Sequence, residues 1–405
     1  LKKAKSIDKD ITEDKLTQDE DVLDTWFSSW LWPITVFDGI NDPDNEEINY
    51  YYPTSDLVTA PEIIFFWVAR MIVAGYEYRD EMPFKNVYFT GIVRDKQRRK
   101  MSKSLGNSPD PIELMKKYGA DGVRAGMLFS APAGNDLLFD EKLCEQGRNF
   151  SNKLWNAFRL IQTLEVTDEG KDQSLAIDWI NSRFNEVLNE VEDHFSKYRI
   201  SDALLSLYTF IWDDFCSWYL EIIKDNSISD KTYKGTLAVL DKILKTLHPF
   251  MPFITEELWN QIDDDRGYIM LSDYPTPEKF DDSLNNDFKK IFEIVTGLRK
   301  LKSDNKIKQI DVVEVMVNKK SEFDFIKYRD LIEKLSKTKD LEVVNEIPGN
   351  YPTLISGKDT LCLAIEKSED SKEDTLKQIE YLEGFLKSVE RKLSNKSFVD
   401  NAPES

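Results

Sequence analysis

The stretch that most constrains the fold runs from Asn86 to Arg124. Inside it Arg94 to Lys103 reads R-D-K-Q-R-R-K-M-S-K, six cations against one acid, in a 405-residue chain whose 54 Lys and Arg face 74 Asp and Glu for a formal net charge of −20. Such a local inversion of sign marks either a polyanion site or a solvated surface run. Upstream, Val87-Tyr88-Phe89-Thr90-Gly91-Ile92-Val93 is β-branched and aromatic, which predicts a buried strand. Downstream, Leu105-Gly106-Asn107-Ser108-Pro109 is turn chemistry; Asp110 then predicts a cap, and Pro111 the first residue, of a helix through Tyr118. A cationic loop delivered by a strand of an α/β sheet, with Lys100 and Lys103 flanking Met101 and Ser102, brings ammonium groups and free backbone N–H to phosphates.

Length implies roughly two to four domains. The composition is that of a globular protein, 41% hydrophobic with nine Trp and 23 Phe. No apolar run reaches transmembrane length and no signal peptide is visible, so no membrane association and a cytoplasmic location are expected. Cys144, Cys216 and Cys362 are odd in number and widely spaced, with only His194 and His248 as further soft ligands; no zinc or other metal site is expected. The acidic balance argues against promiscuous nucleic-acid binding and confines any such contact to local basic faces. Leu1 to Glu20 is polar and begins without Met, so it reads as a linker within a longer protein.

The string Lys100-Met101-Ser102-Lys103-Ser104, continued by Leu105-Gly106-Asn107 and then Tyr118-Gly119-Ala120-Asp121, is the KMSKS signature in its usual setting. It resembles the class I aminoacyl-tRNA synthetases. The resemblance implies a loop that closes over ATP, with Met101, Ser102, Lys103 and Ser104 on the nucleotide and Lys100 and Lys103 catalytic. In that family the second lysine, here Lys103, meets the charge that develops on pyrophosphate as the amino acid attacks the α-phosphate, which is electrostatic catalysis.

Asp24-Thr25-Trp26-Phe27-Ser28-Ser29 and Leu31-Trp32-Pro33 are dense in aromatics, a feature of cores as well as of pockets. Glu62 to Val73, opened by Pro61, is apolar nearly all round and predicts a buried helix. Both strings are similar to the valine-specific branch of the family. That resemblance puts Trp26, Ile63 and Trp67 around the valine side chain and Glu62 on the ribose hydroxyls of ATP, although Ala60-Pro61-Glu62 stands where many relatives read Gly, a larger residue and Asp.

Beyond Asn135 the pattern changes to long amphipathic helices. Leu143, Phe150, Leu154, Trp155, Phe158 and Ile161 share one face; Ile180, Phe184, Val187, Val191 and Phe195 another; Leu204 to Ile222 step by 4 and 3; Leu237 to Leu247 follow, with Thr255 as a further helix cap. Together they predict an antiparallel bundle, which by itself implies no function. His248, beside Pro249, reads as structural. The resemblance makes this bundle the anticodon-binding domain. Arg148, Asn152, Lys153, Asn156 and Arg159 fall on the polar side of one helix, where they either contact tRNA or form a solvated face that bonds neighbouring helices. Asp287 to Glu366 mixes a helix with alternating stretches, a small α/β module, and Leu376, Ile379, Leu382, Leu386, Val389 and Leu393 form a coiled-coil-like seam.

The expected fold is thus α/β followed by mainly α. Residues 1–20 are a linker, 21–138 the C-terminal half of a Rossmann-like catalytic domain, 139–275 the anticodon bundle, 276–366 the α/β module, and 367–405 the first half of a terminal coiled-coil arm whose returning helix would begin near Asn401. The implied reaction is ATP-dependent activation of valine, with Mg2+, and transfer to its tRNA by a monomeric enzyme. Neither His194 nor His248 lies in the H-x-G-H signature of the opening half. The editing domain is not in the sequence either, and an apolar pocket rejects an isostere only weakly, for which valyl-tRNA synthetase is itself a standard example. The chain alone is therefore expected to be inactive. The alternatives are a non-catalytic tRNA-holding module with a decayed ATP loop, or an isoleucyl- or leucyl-type synthetase.

Overall fold

The computed structural model describes residues 2–131, 136–365 and 369–394. They form two compact units, Leu1–Asn149 with Val191–Leu205, and Phe150–Glu190 with Ser206–Ser405.

In the first unit the short helix α1 (Ala4–Ile7) precedes α2 (Thr25–Ser29), capped by Asp24, whose carboxylate accepts from the Trp26 N–H at 2.7 Å. Next come α3 (Trp32–Thr35), α4 (Glu46–Tyr51) and strand β1 (Thr54–Thr59). β1 runs parallel to β2 (Phe84–Phe89), with Leu57 opposite Val87 and Val58 opposite Tyr88. A parallel pair demands a crossover. Here a 3₁₀ turn at Pro61–Ile63 leads through a π-helical turn, Ile64–Val68, into α5 (Ala69–Arg79).

The expected buried helix is therefore only half right. Val68 and Met71 enter a core with Leu57 and Phe84, but Phe65 is 81% and Phe66 52% exposed. The sheet beneath holds two strands and covers one face of the crossover. The expected strand through Val93 also divides. Thr90 still donates to the Thr59 carbonyl, whereas the Ile92 N–H turns to Asp136, and β3 (Val93–Arg94) pairs with β4 (Leu137–Leu138) instead. The backbone changes partner across Gly91.

α6 (Pro111–Tyr118) begins where the sequence places it: Asp110 accepts from the Ile112 N–H at 2.8 Å, Pro111 is the first helical residue, and Gly119, at φ +78°, ends the helix. α7 (Ala120–Phe129) then crosses the start of α8 (Glu141–Gln162) backbone to backbone. A Cβ on Gly147 would lie 2.4 Å from the Gly122 carbonyl oxygen, and one on Gly126 would lie 2.6 Å from the Cys144 nitrogen.

In the second unit α8 buries Phe150, Leu154, Phe158 and Ile161. Strand β5 (Val166–Lys171) bridges to Ile228, and α9 (Ser174–Ser196) contributes Ile180, Phe184 and Val187 to the core. α10 (Ile200–Thr209) continues as a π-helical segment, Phe210–Tyr219, into α11 (Leu220–Ile223), so the 4-and-3 stepping is carried by a widened rather than a regular helix. α12 (Asp230–Leu247) and α13 (Pro252–Ile262) complete the bundle. Thr255 is not a cap: Pro252 starts α13 a turn earlier, and the Thr255 hydroxyl bonds the Met251 carbonyl and His248 Nδ1 from inside the helix. Phe195, counted with the buried face of α9, is 37% exposed.

The small α/β module consists of α14 (Asp282–Asp304), β6 (Val313–Asn318), α15 (Arg329–Ser336), β7 (Thr338–Val343), β8 (Thr353–Ser356) and β9 (Asp359–Leu363). Strand order is β7-β6-β9-β8, with β6 and β7 parallel and the other pairs antiparallel. Its most unusual core group is Lys302, fully buried, whose ammonium donates to the carbonyls of Asp311, Ser336 and Lys337 at 2.6–3.0 Å. α16 (Glu369–Leu393) follows, with Ile379, Leu382 and Leu386 exposed; the returning helix expected near Asn401 lies outside the described residues. Cys144, Cys216 and Cys362 are all buried and free, and burial pushes the Cys216 thiol up to about 12. Among the described residues no helix is long and apolar enough to cross a membrane.

Candidate functional site

The basic loop is built around its single acid. Asp95 is buried and accepts from the Gln97 and Arg99 N–H groups at 3.0 and 2.9 Å, from Arg99 Nε at 2.8 Å and from Asn107 Nδ2 at 3.0 Å. These bonds, led by the one from Asn107, hold its carboxyl well below the usual carboxylate range. Arg98 takes φ +62° at the tip, and Arg94 bridges antiparallel to Lys100, so the segment folds back as a tight hairpin. Asn107 spans the base: its Oδ1 accepts from the Ser102 N–H at 2.9 Å and its amide reaches the Lys100 carbonyl at 3.3 Å. Ser102 Oγ lies 3.1 Å from Ser104 Oγ and accepts from the Leu105 N–H, capping a 3₁₀ turn, Lys103–Leu105.

Most of the loop's charge is already paired. Arg94 bonds Asp136, Lys96 lies 3.2 Å from Asp140, Arg99 pairs with Asp95, and Lys100 donates to Glu62 at 2.9 Å. The sign inversion is thus partly cancelled by acids distant in sequence, which composition could not show.

Glu62 opens the crossover, and the next turn of that segment lines a recess. Trp26, Ser28, Ser29, Trp32, Ile63 and Trp67 line an open recess of about 470 Å³. Trp67 Nε1 donates to the Ser29 carbonyl at 3.0 Å, fixing the indole, while Trp32 lies 6.0 Å from Trp67 and Trp26 stacks on Phe66 at 5.9 Å. Trp26, Ile63 and Trp67, named from the sequence, share this one apolar wall, with Lys100 tied to the residue before Ile63.

The polar face of α8 is less uniform. Asn152, Asn156 and Arg159 are exposed. Lys153 is half-buried with its ammonium 5.2 Å from the Trp212 ring, and Arg148 lies over Tyr118 at 5.5 Å and pairs with Glu145 at 3.5 Å.

Two family models match the chain: tRNA synthetases class I (I, L, M and V) over residues 2–140, and the anticodon-binding domain of tRNA ligase over residues 178–317. A valine–tRNA ligase of Christiangramia forsetii is 51% identical over 405 residues, covering 96% of this chain and 46% of the relative. The chain belongs to the valine–tRNA ligase family. A valine–tRNA ligase of Phocaeicola vulgatus is 49% identical across 100% of this chain and 47% of its own length, and that of Fusobacterium nucleatum is 39% identical across 96% and 47%. The chain spans about half the length of the curated relatives it matches. The LeuRS of Agrobacterium radiobacter K84, solved as a LeuRS-tRNA-LeuAMS ternary complex, superposes with a TM-score of 0.51 at 19% identity over 65% of this chain and 34% of that one, a likeness of fold.

Within the family frame, sequence reasoning passed over the residues that shape the loop, Asp95 and Asn107, and over Ser29 and Trp32 in the recess. A signal existed for Asp95. It is the lone acid in a run of cations, and in a solvated run it would have no reason to be there.

Proposed function

We propose that this chain serves a longer valine–tRNA ligase, supplying the pyrophosphate-side loop, the wall of the valine recess and an anticodon-binding bundle. The observation that carries the reading is the Lys100–Glu62 contact, which sets the KMSKS loop beside the turn bearing Ile63 and Trp67. In this reading Trp26, Ile63 and Trp67 hold the valine side chain, and Glu62 accepts ribose hydroxyls. The valine carboxylate attacks the α-phosphate, the bond to the β-phosphate breaks, and the leaving pyrophosphate gathers charge. Lys103, with Lys100 released from Glu62, meets that charge, while the turn at Met101, Ser102 and Ser104 follows the triphosphate.

Mg2+ would arrive on the triphosphate; among the described residues no group of three His, Cys, Asp or Glu side chains is placed to cage a metal ion. The partner RNA is a valine-accepting tRNA, met by the polar face of α8 through Asn152, Asn156 and Arg159, with Arg148 and Lys153 flanking. The five-part division at residues 20, 138, 275 and 366, a monomeric state and a cytoplasmic location belong to the same reading.

The test is ATP–pyrophosphate exchange by the complete gene product. Exchange driven by valine far above isoleucine or leucine supports the reading; none with any of the three would leave a non-catalytic tRNA-holding module.

A further inference from the structure

Away from the loop and the recess, the α/β module carries a second inversion of charge. Arg299 to Lys308 reads R-K-L-K-S-D-N-K-I-K, five cations and one acid in a chain of net charge −20. Its members do different work. Lys302 is buried on the carbonyls of Asp311, Ser336 and Lys337, and Arg299 donates twice to the Leu335 carbonyl, at 3.1 and 2.7 Å. These two therefore satisfy the last-turn carbonyls of α15 and offset the negative end of its dipole, which would otherwise repel an anion. They also draw the end of α14, the 305–312 loop and the end of α15 to one junction.

Three further cations leave that junction: Lys306, Lys308 and Lys337. All are exposed, and none forms an ion pair among the described residues. The acids beside them are Asp304 and Asp311, both exposed, while Glu314 and Asp340 are taken up by Lys339. The backbone adds a second observation. Lys306 and Lys337 sit at φ +57° and +52°, the left-handed conformation that follows a helix and favours glycine. A lysine at both helix ends accepts a local strain where glycine would have none, and strain of this kind collects where a side chain is used.

We infer that this junction, through Lys306, Lys308 and Lys337, is a binding surface for the phosphodiester backbone of structured RNA, separate from the polar face of α8. It rests on the tRNA reading above and deepens it. Cations on flexible stems, beside Asn305 and Gln309 whose amide N–H groups are spent on the Leu301 and Arg299 carbonyls, fit a positioning contact that is indifferent to sequence.

The experiment is an anisotropy titration of the 405-residue chain with a fluorescein-labelled valine-accepting tRNA transcript over a series of KCl concentrations. A charge-reversed set, K306E/K308E/K337E, is compared with a Lys→Gln set at the same positions and with an α8 set, N152A/R159E; thermal melts confirm folding, and the Gln set decides if the Glu set is unfolded. The expected result is a tenfold or greater loss of affinity in the module sets, with the salt slope reduced by about one per phosphate contact removed. Wild-type affinity and slope in the module sets, alongside a loss in the α8 set, would overturn this inference and leave the tRNA reading standing. No binding by the wild-type chain would overturn both. Patch-dependent binding of poly-glutamate but not of the transcript would assign the surface to an acidic protein and overturn the RNA assignment.

Discussion

Lys100 Nζ donates to Glu62 Oε1 at 2.9 Å, joining the first lysine of the basic loop to the residue that opens the crossover 38 positions earlier. Both side chains are well exposed, at 62% and 47%, and a pair so placed contributes only about 0–1 kcal/mol. It orients the loop without locking it, as the proposed exchange of that carboxylate for phosphate requires.

Glu62→Gln should therefore leave stability within about 1 kcal/mol of wild type in urea denaturation. Trypsin cleavage between Arg98 and Lys103 should at the same time become faster. A loss above about 2 kcal/mol would mean that the pair does more than orient the loop, and an unchanged cleavage rate would mean that it does not hold the loop.

Asp95→Asn should loosen the hairpin as a whole, because one carboxylate gathers four donors. Hydrogen exchange at the Gln97 and Arg99 amides should rise severalfold near neutral pH. The sign of the pH dependence follows from the lowered folded-state pKa. The stabilisation by Asp95 is present above the unfolded value of about 3.9 and fades as pH falls through the lower folded one. The difference between wild type and variant should thus persist down to about pH 4 and narrow only below it; a difference lost already at pH 6 would point to another group.

Lys103→Ala in the complete enzyme should slow adenylate formation by about 10²- to 10³-fold, with valine binding little changed, because the charge it meets develops in the transition state. Single-turnover adenylation at the wild-type rate would remove Lys103 from the proposed role.

Some of this was legible in the residues. Asp110-Pro111 spelled out both cap and first turn of α6, since local chemistry fixes a helix start, and the apolar spacing of α8 gave its buried face. The misses share one cause. Whether the strand beginning at Phe84 continues past Gly91, whether Phe65 is covered, and whether Thr255 begins or sits inside a helix each depend on what lies opposite, which periodicity does not encode. The site was readable as a string, while its ion pairs, Glu62 with Lys100 and Asp136 with Arg94, required residues dozens of positions apart to meet.

Gly126→Ala should destabilise the chain by about 1–3 kcal/mol, because the new methyl would press on the Cys144 backbone, which cannot swing aside as a side chain does. Gly384→Ala, in α16 with nothing within 4 Å, is the control and should stabilise by about 0.5–1 kcal/mol. Equal melting shifts for the two would refute the close crossing of α7 and α8.

The burial of Cys144, Cys216 and Cys362 gives the native chain a quiet chemical background. Thiol reagents attack thiolates that they can reach, and these three are both covered and held in the protonated form. A cysteine introduced at exposed Gln97, on the hairpin's outer turn, would be the first to take a maleimide. A dye or spin label there would test whether the loop moves when ATP, its proposed ligand, is added, with every native sulfur left in place.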